Sequence, residues 1–192
     1  MTGPVEADDL RLAHHLADVA ASIALRHFAP SVPTRTKPDG TPVTEADLEV
    51  ERAILAILER DRPADGVLSE ETGSHGHGPR RWIVDPIDGT VPFSRGGAGW
   101  ATFLALEQDG ALTLGLINRP VDGQRYWATA GGGTRAASTE RGLVVGRERF
   151  PRTSAIATLH NARFTAVPAT ETRLLSPPCA PRAPGWSRPM TS

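Results

Sequence analysis

The spacing of apolar residues changes its period at Pro63, and no other feature restricts the fold as tightly. Before Pro63 the chain reads as helix: Leu10, Ala13, Ala17, Ala20, Ile23 or Ala24 and Phe28 recur every three or four positions within residues 6–28, with charges between them. Pro30 and Pro33 stop that helix. A turn-rich stretch, Lys37-Pro38-Asp39-Gly40-Thr41-Pro42, leads to Thr44, which is suited to cap a second helix over about residues 45–60. Glu45 and Asp47 sit in its first turn, where the helix dipole favours negative charge, and Val50, Ile54, Ile57 and Leu58 form its stripe. After Pro63 the runs shorten into strands: Val67–Ser69, Trp82–Val84, Trp100–Leu106, Leu112–Ile117 and Tyr126–Thr129. Asp109-Gly110 between two of them signals a hairpin. Two leading helices followed by strands, at least one pair antiparallel, predict a layered α/β (α+β) domain rather than a doubly wound nucleotide fold.

Composition narrows the function classes. The 192 residues carry a net charge of −1 with no basic block, which argues against a nucleic-acid partner. No apolar run reaches the roughly 18 to 20 residues of a membrane span, and the N-terminal MTGPVEADDL is acidic where a secretory signal is basic. Cys179 is the sole cysteine, in keeping with a reducing compartment, so a cytoplasmic location with no membrane partner is expected. Charge also divides the chain. Residues 149–192 hold six Arg, no Lys and the single acid Glu171, a net +5, which leaves −6 for residues 1–148. The boundary is therefore placed there: a functional domain over 1–148 and an Arg- and Pro-rich tail over 149–192, partly disordered, with Ala155–Leu159 as a candidate strand. No repeat of 20 to 50 residues is visible.

The densest chemical signal is Trp82-Ile83-Val84-Asp85-Pro86-Ile87-Asp88-Gly89-Thr90. An apolar strand delivers two carboxylates three positions apart to its C-terminal end. Pro86 fixes the turn, and Gly89 lets the backbone approach a ligand. Asp85, the Ile87 carbonyl and Asp88 offer several hard oxygens from one turn, the ligand type that Mg²⁺ prefers. An Asx turn at a strand end is the plainer explanation of such a segment alone. Two further acidic turns shift the balance: Ser69-Glu70-Glu71 follows the preceding strand, and Thr44-Glu45-Ala46-Asp47 opens a helix. Each alone reads as a solvated turn or a helix cap. Three at element ends make a shared site the better reading.

On these residues the chain resembles the inositol monophosphatase family of Mg²⁺-dependent phosphomonoesterases. The matching pieces, in order, are Pro42–Asp47, Ser69-Glu70-Glu71, Asp85–Thr90, Gly99–Leu106 and the Gly131–Thr134 turn, covering about residues 6–148. Trp100-Ala101-Thr102 and Gly115–Pro120 look closest to the histidinol-phosphatase branch. The resemblance implies a layered α-β-α-β-α sandwich, incomplete in its C-terminal half. It implies that Glu70, Asp85 and the Ile87 carbonyl hold one Mg²⁺ and that Asp85 and Asp88 hold part of a second. Paired metals would neutralise the phosphate, activate a water and stabilise the leaving oxygen. Thr90, bonded to Asp47, would orient that water. The N–H groups of Gly89 and Thr90 would receive the phosphate oxygens of a small phosphorylated metabolite, with Glu70, Ile87 and Asp88 also lining the substrate. Lys37 would add positive charge nearby, if it is not simply a solvated loop lysine.

The sequence also departs from the family. The second half of the family pattern supplies a Trp-Asp motif whose aspartate completes the second metal site, yet none of Trp82, Trp100, Trp127 or Trp186 precedes an Asp. Where the family has Asn-Phe after Gly-Thr, this chain has Val91-Pro92-Phe93. The irregular end suggests a truncated or frame-disrupted member, whose exposed sheet edge would favour association, a homodimer included. Two functions follow: hydrolysis of histidinol phosphate or an inositol phosphate, or a non-catalytic remnant keeping part of a metal site. Ser74-His75-Gly76-His77-Gly78 reads as a flexible turn, and His14 and His15 as surface or edge residues of the first helix. Gly131–Gly133 lacks dinucleotide spacing and no Walker lysine motif is present, so nucleotide-dependent transfer is not supported.

Overall fold

A computed structural model describes residues 7–140, 143–144 and 148–149. Helix α1 spans Ala7–His27, with Asp8 and Asp9 in its first turn and Arg26 and His27 in its last, each matched to the helix dipole. An antiparallel hairpin follows, β1 (Thr34–Thr36) and β2 (Pro42–Thr44), closed by the Lys37–Thr41 turn. Thr44 ends β2 and caps α2 (Glu45–Asp61) in a capping box: its side chain accepts the Asp47 N–H while its own N–H donates to the Asp47 carboxylate at 2.8 Å.

The strands β3 (Gly66–Ser69), β4 (Gly73–His75), β5 (Arg80–Asp88), β6 (Ala101–Gln108), β7 (Ala111–Arg119), β8 (Gln124–Thr129), β9 (Gly133–Glu140), β10 (Leu143–Val144) and β11 (Glu148–Arg149) form one sheet, with the five-residue helix α3 (Thr90–Ser94) between β5 and β6. Its order is β10-β9-β8-β7-β6-β5-β3-β4, with β11 also on β9. Only β3 and β5 run parallel among these pairs. The expected hairpin is present: Asp109 (φ 52°) and Gly110 (φ 77°) both take the left-handed conformation that a two-residue hairpin turn requires.

Helices α1 and α2 pack on each other and on one face of the sheet. Leu12, Leu16 and Ile23 of α1 and Val50, Ile54 and Leu58 of α2 share a core with Trp82, Val84, Leu104, Leu106, Leu114, Leu116 and Trp127. Because α1 is covered on two sides, Leu12 and Leu16 are buried along with the expected Ala13, Ala17 and Ala20, while Leu10 and Phe28 are only partly buried. Two polar ties fasten the helices. Asp9 accepts from Arg62 at the end of α2 (3.2 Å) and from Arg80 at the start of β5 (2.8 Å). Arg125, fully buried, donates to Asp18 (2.7 Å) and Asn118 (2.9 Å). His14, expected at the surface or an edge, is instead half-buried with its ring edge-on to Trp127 at 4.7 Å.

The structure corrects three further expectations. The strand expected over Trp82–Val84 runs from Arg80 to Asp88, so Asp85 lies within a strand rather than beyond its end. The His-Gly turn begins as strand β4, and the Gly131–Gly133 turn leads into the unanticipated β9. The candidate strand at 155–159, Cys179 and the Pro-rich end lie outside the described residues. Among the described residues no helix is long and apolar enough to cross a membrane. Ile54, fully buried where α2 meets the core, tests how that helix is held. Ile54→Ala is expected to lower unfolding free energy by about 2 to 5 kcal/mol, read from the midpoint of a denaturant titration.

Candidate active site

The β5–β6 pairing determines where the two aspartates of the turn face. Register is regular from Arg80↔Gln108 to Asp85↔Phe103 and resumes at Asp88↔Ala101, so β5 carries one extra residue in a bulge. Strict alternation from the buried Val84 would turn Asp88 into the core and Ile87 away from it. The extra residue reverses that parity. Ile87 enters the core at 1% exposure, and Asp88 emerges on the face of Asp85. Pro86 suits the bulge because it has no N–H to donate to a ladder. Its carbonyl is satisfied by the buried Thr102 hydroxyl at 2.9 Å.

Gly89 takes φ 93° and ψ 45°, and a Cβ there would meet the Gly99 carbonyl at 2.6 Å, so neither conformation nor space admits another residue. Helix α3 begins at Thr90. Pro92 falls in its first turn, where an N–H has no helical partner, and Phe93 is buried against Phe28 and Trp100 with ring centroids at 5.6 and 5.0 Å. The Val91-Pro92-Phe93 departure is thus compatible with a helix after the turn.

The remaining acids converge from neighbouring elements. The Glu70 N–H bonds to the Val84 carbonyl at 3.1 Å, extending the parallel β3–β5 ladder and bringing Glu70 beside Asp85. The Lys37 ammonium, 15% exposed, lies 3.1 Å from Glu71 and 3.4 Å from Glu70. Asp47 reaches in from α2, its Oδ1 at 3.5 Å from the Thr90 hydroxyl, which also lies 3.4 Å from the Ile87 carbonyl. All the expected side chains (Asp47, Glu70, Asp85, Asp88, Thr90) and the backbone at Ile87 and Gly89 therefore belong to one neighbourhood.

Its electrostatics are those of crowded acids. Burial above all, then the charge of Glu70 and its hydrogen bond with Asp85, and then the charges of Asp88 and Asp47, push the Asp85 carboxyl up to about 10. Burial also pushes Glu71 up to about 7, against the pull of Lys37, with Asp47 and Glu70 adding to the rise. Asp47 is raised by burial too, against its bonds from Thr44. For Lys37 burial opposes the charge, and Glu71 and Glu70 outweigh it. One oxygen of Asp85, Oδ1, is buried without a hydrogen-bond partner. An orphaned carboxylate oxygen among like charges, with hard oxygen donors nearby, fits a divalent cation such as Mg²⁺. The acids stand as neighbours rather than as a closed cage: among the described residues no three His, Cys, Asp or Glu side chains meet around one metal position.

Sequence reasoning missed Thr102 and Glu51. Glu51 is buried at 1% exposure, with its carboxylate on the Glu71 N–H and the Thr72 hydroxyl. Its signal was an acid one turn after Asp47 and beside Val50 on the buried stripe. Thr102 left none.

A model of the inositol monophosphatase family matches residues 7–177. The chain belongs to this family. A Streptomyces griseus protein named glucose-1-phosphate thymidylyltransferase is 50% identical over 127 residues, 65% of this chain and 49% of its own length. The histidinol-phosphatase of Streptomyces coelicolor is 43% identical over 166 residues, 84% of this chain and 60% of its own length. Among solved structures, an inositol monophosphatase from Zymomonas mobilis superposes with a TM-score of 0.58 at 40% identity, covering 77% of this chain and 56% of that one. The chain thus spans about half to three-fifths of the length of these relatives. Its mixed α/β architecture with a multistrand sheet is that of the inositol monophosphatase fold.

The raised acids give a signed pH dependence. Unfolded, Glu71 and Asp85 lose their protons near the ordinary values of 4.5 and 3.8; folded, they keep them to about 7 and about 10. Between those limits the folded family member binds more protons, so its stability falls as pH rises. In EDTA the melting temperature is expected to drop between pH 6 and pH 9, and saturating Mg²⁺ should flatten that slope; a slope unchanged by Mg²⁺ in differential scanning calorimetry would count against a cation at these acids.

Proposed function

We propose that this chain hydrolyses a small phosphomonoester, histidinol phosphate or an inositol monophosphate, with Mg²⁺ as cofactor. The observation that carries the reading is Asp85: buried, with one oxygen unpartnered, and facing Glu70 and Asp88 across a bulge that puts both aspartates on one face. Glu70, Asp85, the Ile87 carbonyl and Asp88 would hold the metal. When bound, Mg²⁺ supplies charge neutralisation of the phosphate and lowers the pKa of the attacking water.

The chain's own groups divide the remaining work. The Thr90 hydroxyl, between Asp47 and the Ile87 carbonyl, orients the water and passes a proton toward Asp47 Oδ1. That water's oxygen bonds to phosphorus as the ester P–O bond breaks, and the alcohol departs with a proton. The Gly89 and Thr90 N–H groups donate to the phosphate oxygens, held by the left-handed backbone at Gly89. Asp88, exposed on the same face, borders a cavity of about 290 Å³ with Phe103, Ile117 and Tyr126, which would take the alcohol part of the substrate.

All these groups lie within residues 1–148, which the proposal treats as the functional unit. The likeness to a histidinol-phosphatase of S. coelicolor and an inositol monophosphatase of Z. mobilis supports the substrate pair. The sole cysteine is in keeping with a cytoplasmic location. A homodimer joined at a sheet edge belongs to the same reading.

The test is phosphate release from histidinol phosphate, inositol monophosphates and an aryl phosphate, with Mg²⁺ and with EDTA. Release that requires Mg²⁺ and falls by about a hundredfold or more in Asp85→Asn is expected, since several kcal/mol of transition-state stabilisation is at stake. No release from folded protein would identify a non-catalytic member of the family.

A further inference from the structure

We propose that Glu51 is a positioning residue: from α2 it fixes the turn that carries Glu70 and thereby sets the affinity for the divalent cation without touching it. The inference rests on the metal site proposed above and assigns a role to a residue outside it.

Glu51 is a carboxylate at 1% exposure, and such a group survives burial only with its oxygens satisfied. Both are. Oε2 accepts the Glu71 N–H at 3.0 Å, and Oε1 accepts the Thr72 hydroxyl. Thr72 Oγ1 also lies 2.6 Å from His75 Nε2, so with the proton on Nε2 a chain runs from His75 through Thr72 to Glu51. These bonds hold the middle of the short turn between β3 and β4, whose first residue is Glu70. The other ties on Glu70 are its N–H to Val84 and, on its carboxylate, Lys37 at 3.4 Å and a hydrogen bond with Asp85 that a shared cation would replace. The Lys37 tie competes with any cation for the same carboxylate. Orientation of Glu70 during cation binding therefore falls on the backbone, and Glu51 is the side chain that pins it.

Placement on α2 adds the second part. Asp47 and Glu51 are four residues apart on one helix face, so one rigid element sets both the partner of Thr90 and the turn bearing Glu70. Groups that orient a metal ligand are worth about 10 to 100-fold in metal affinity.

The experiment measures Mg²⁺ and Mn²⁺ binding by titration calorimetry on the full chain and its variants, beside activity as a function of metal concentration. Glu51→Ala is expected to weaken the metal Kd about 10 to 100-fold, and Thr72→Val about 3 to 10-fold, with kcat recovering at saturating metal. Glu51→Gln keeps an acceptor for the Glu71 N–H and a donor for Thr72, and Thr72→Ser keeps the hydroxyl; both should stay within about threefold of wild type. Unchanged Kd in Glu51→Ala, or a Glu51→Gln as weak as Glu51→Ala, overturns the proposal. If Glu51→Ala fails to fold, Thr72→Val decides, because Thr72 is exposed. Asp85→Asn separates the two readings. If it binds metal as wild type does, the metal site itself is misassigned; if it loses the metal while Thr72→Val keeps wild-type affinity, Glu51 alone is misassigned.

Discussion

A carboxylate held inside an apolar sheet is the constraint around which the rest of the site is arranged. Asp85 is 6% exposed, lacks a partner for one oxygen and faces three other acids. Left to itself this arrangement opposes folding. What holds it is the other face of the same strand: Trp82, Val84 and Ile87 are buried beneath α1 and α2, and they fix β5 whether or not Asp85 is comfortable. The bulge at Pro86 is the necessary companion, because it returns Ile87 to the core while keeping Asp88 out of it. A regular strand would have had to choose between burying a second aspartate and losing an anchoring isoleucine.

Helix α2 joins the core to the site. Val50, Ile54 and Leu58 seat it, and its opening turn is locked by the reciprocal bonds between Thr44 and Asp47. Consequently Asp47 does two jobs with its two oxygens: Oδ2 closes the capping box while Oδ1 faces Thr90. The cap therefore fixes the direction of the group proposed to take the proton. Substitution at Thr44 would disturb both, so helix stability and site geometry are inseparable at this position.

Much of this was legible in the sequence because it depends on neighbours in the chain. The period of α2 and its Thr44 cap and the Asp109-Gly110 hairpin are local patterns, and each lies where the residues indicated. What escaped depends on partners distant in sequence. Asp85 looked like a residue past the end of a strand because Pro86 ordinarily interrupts one; only pairing with β6 carries the strand through to Asp88. His14 read as a surface or edge residue of its helix, and the burial of Arg125 depends on Asp18 and Asn118 from other elements. Glu51 was hidden in the same way, as an acid that could be buried only because the Glu71 N–H and Thr72 arrive from the β3–β4 turn.

In the proposed function, the charge balance links the metal to the substrate as well as to the reaction. Glu70, Glu71, Asp47, Asp85 and Asp88 crowd five carboxyl groups together, and the ammonium of Lys37 offsets only Glu70 and Glu71. Burial first, and that excess second, push Asp85 and Glu71 up, so protons relieve part of the charge. A phosphate monoester, itself a dianion near neutral pH, has no reason to approach such a surface, and a protonated Asp85 offers it only a weak donor. Divalent charge at the acids changes both facts at once: it displaces the protons from the carboxylates and turns a repulsive surface into an attractive one. In the proposed reading, then, the same crowding that weakens the fold without a cation makes substrate binding conditional on one.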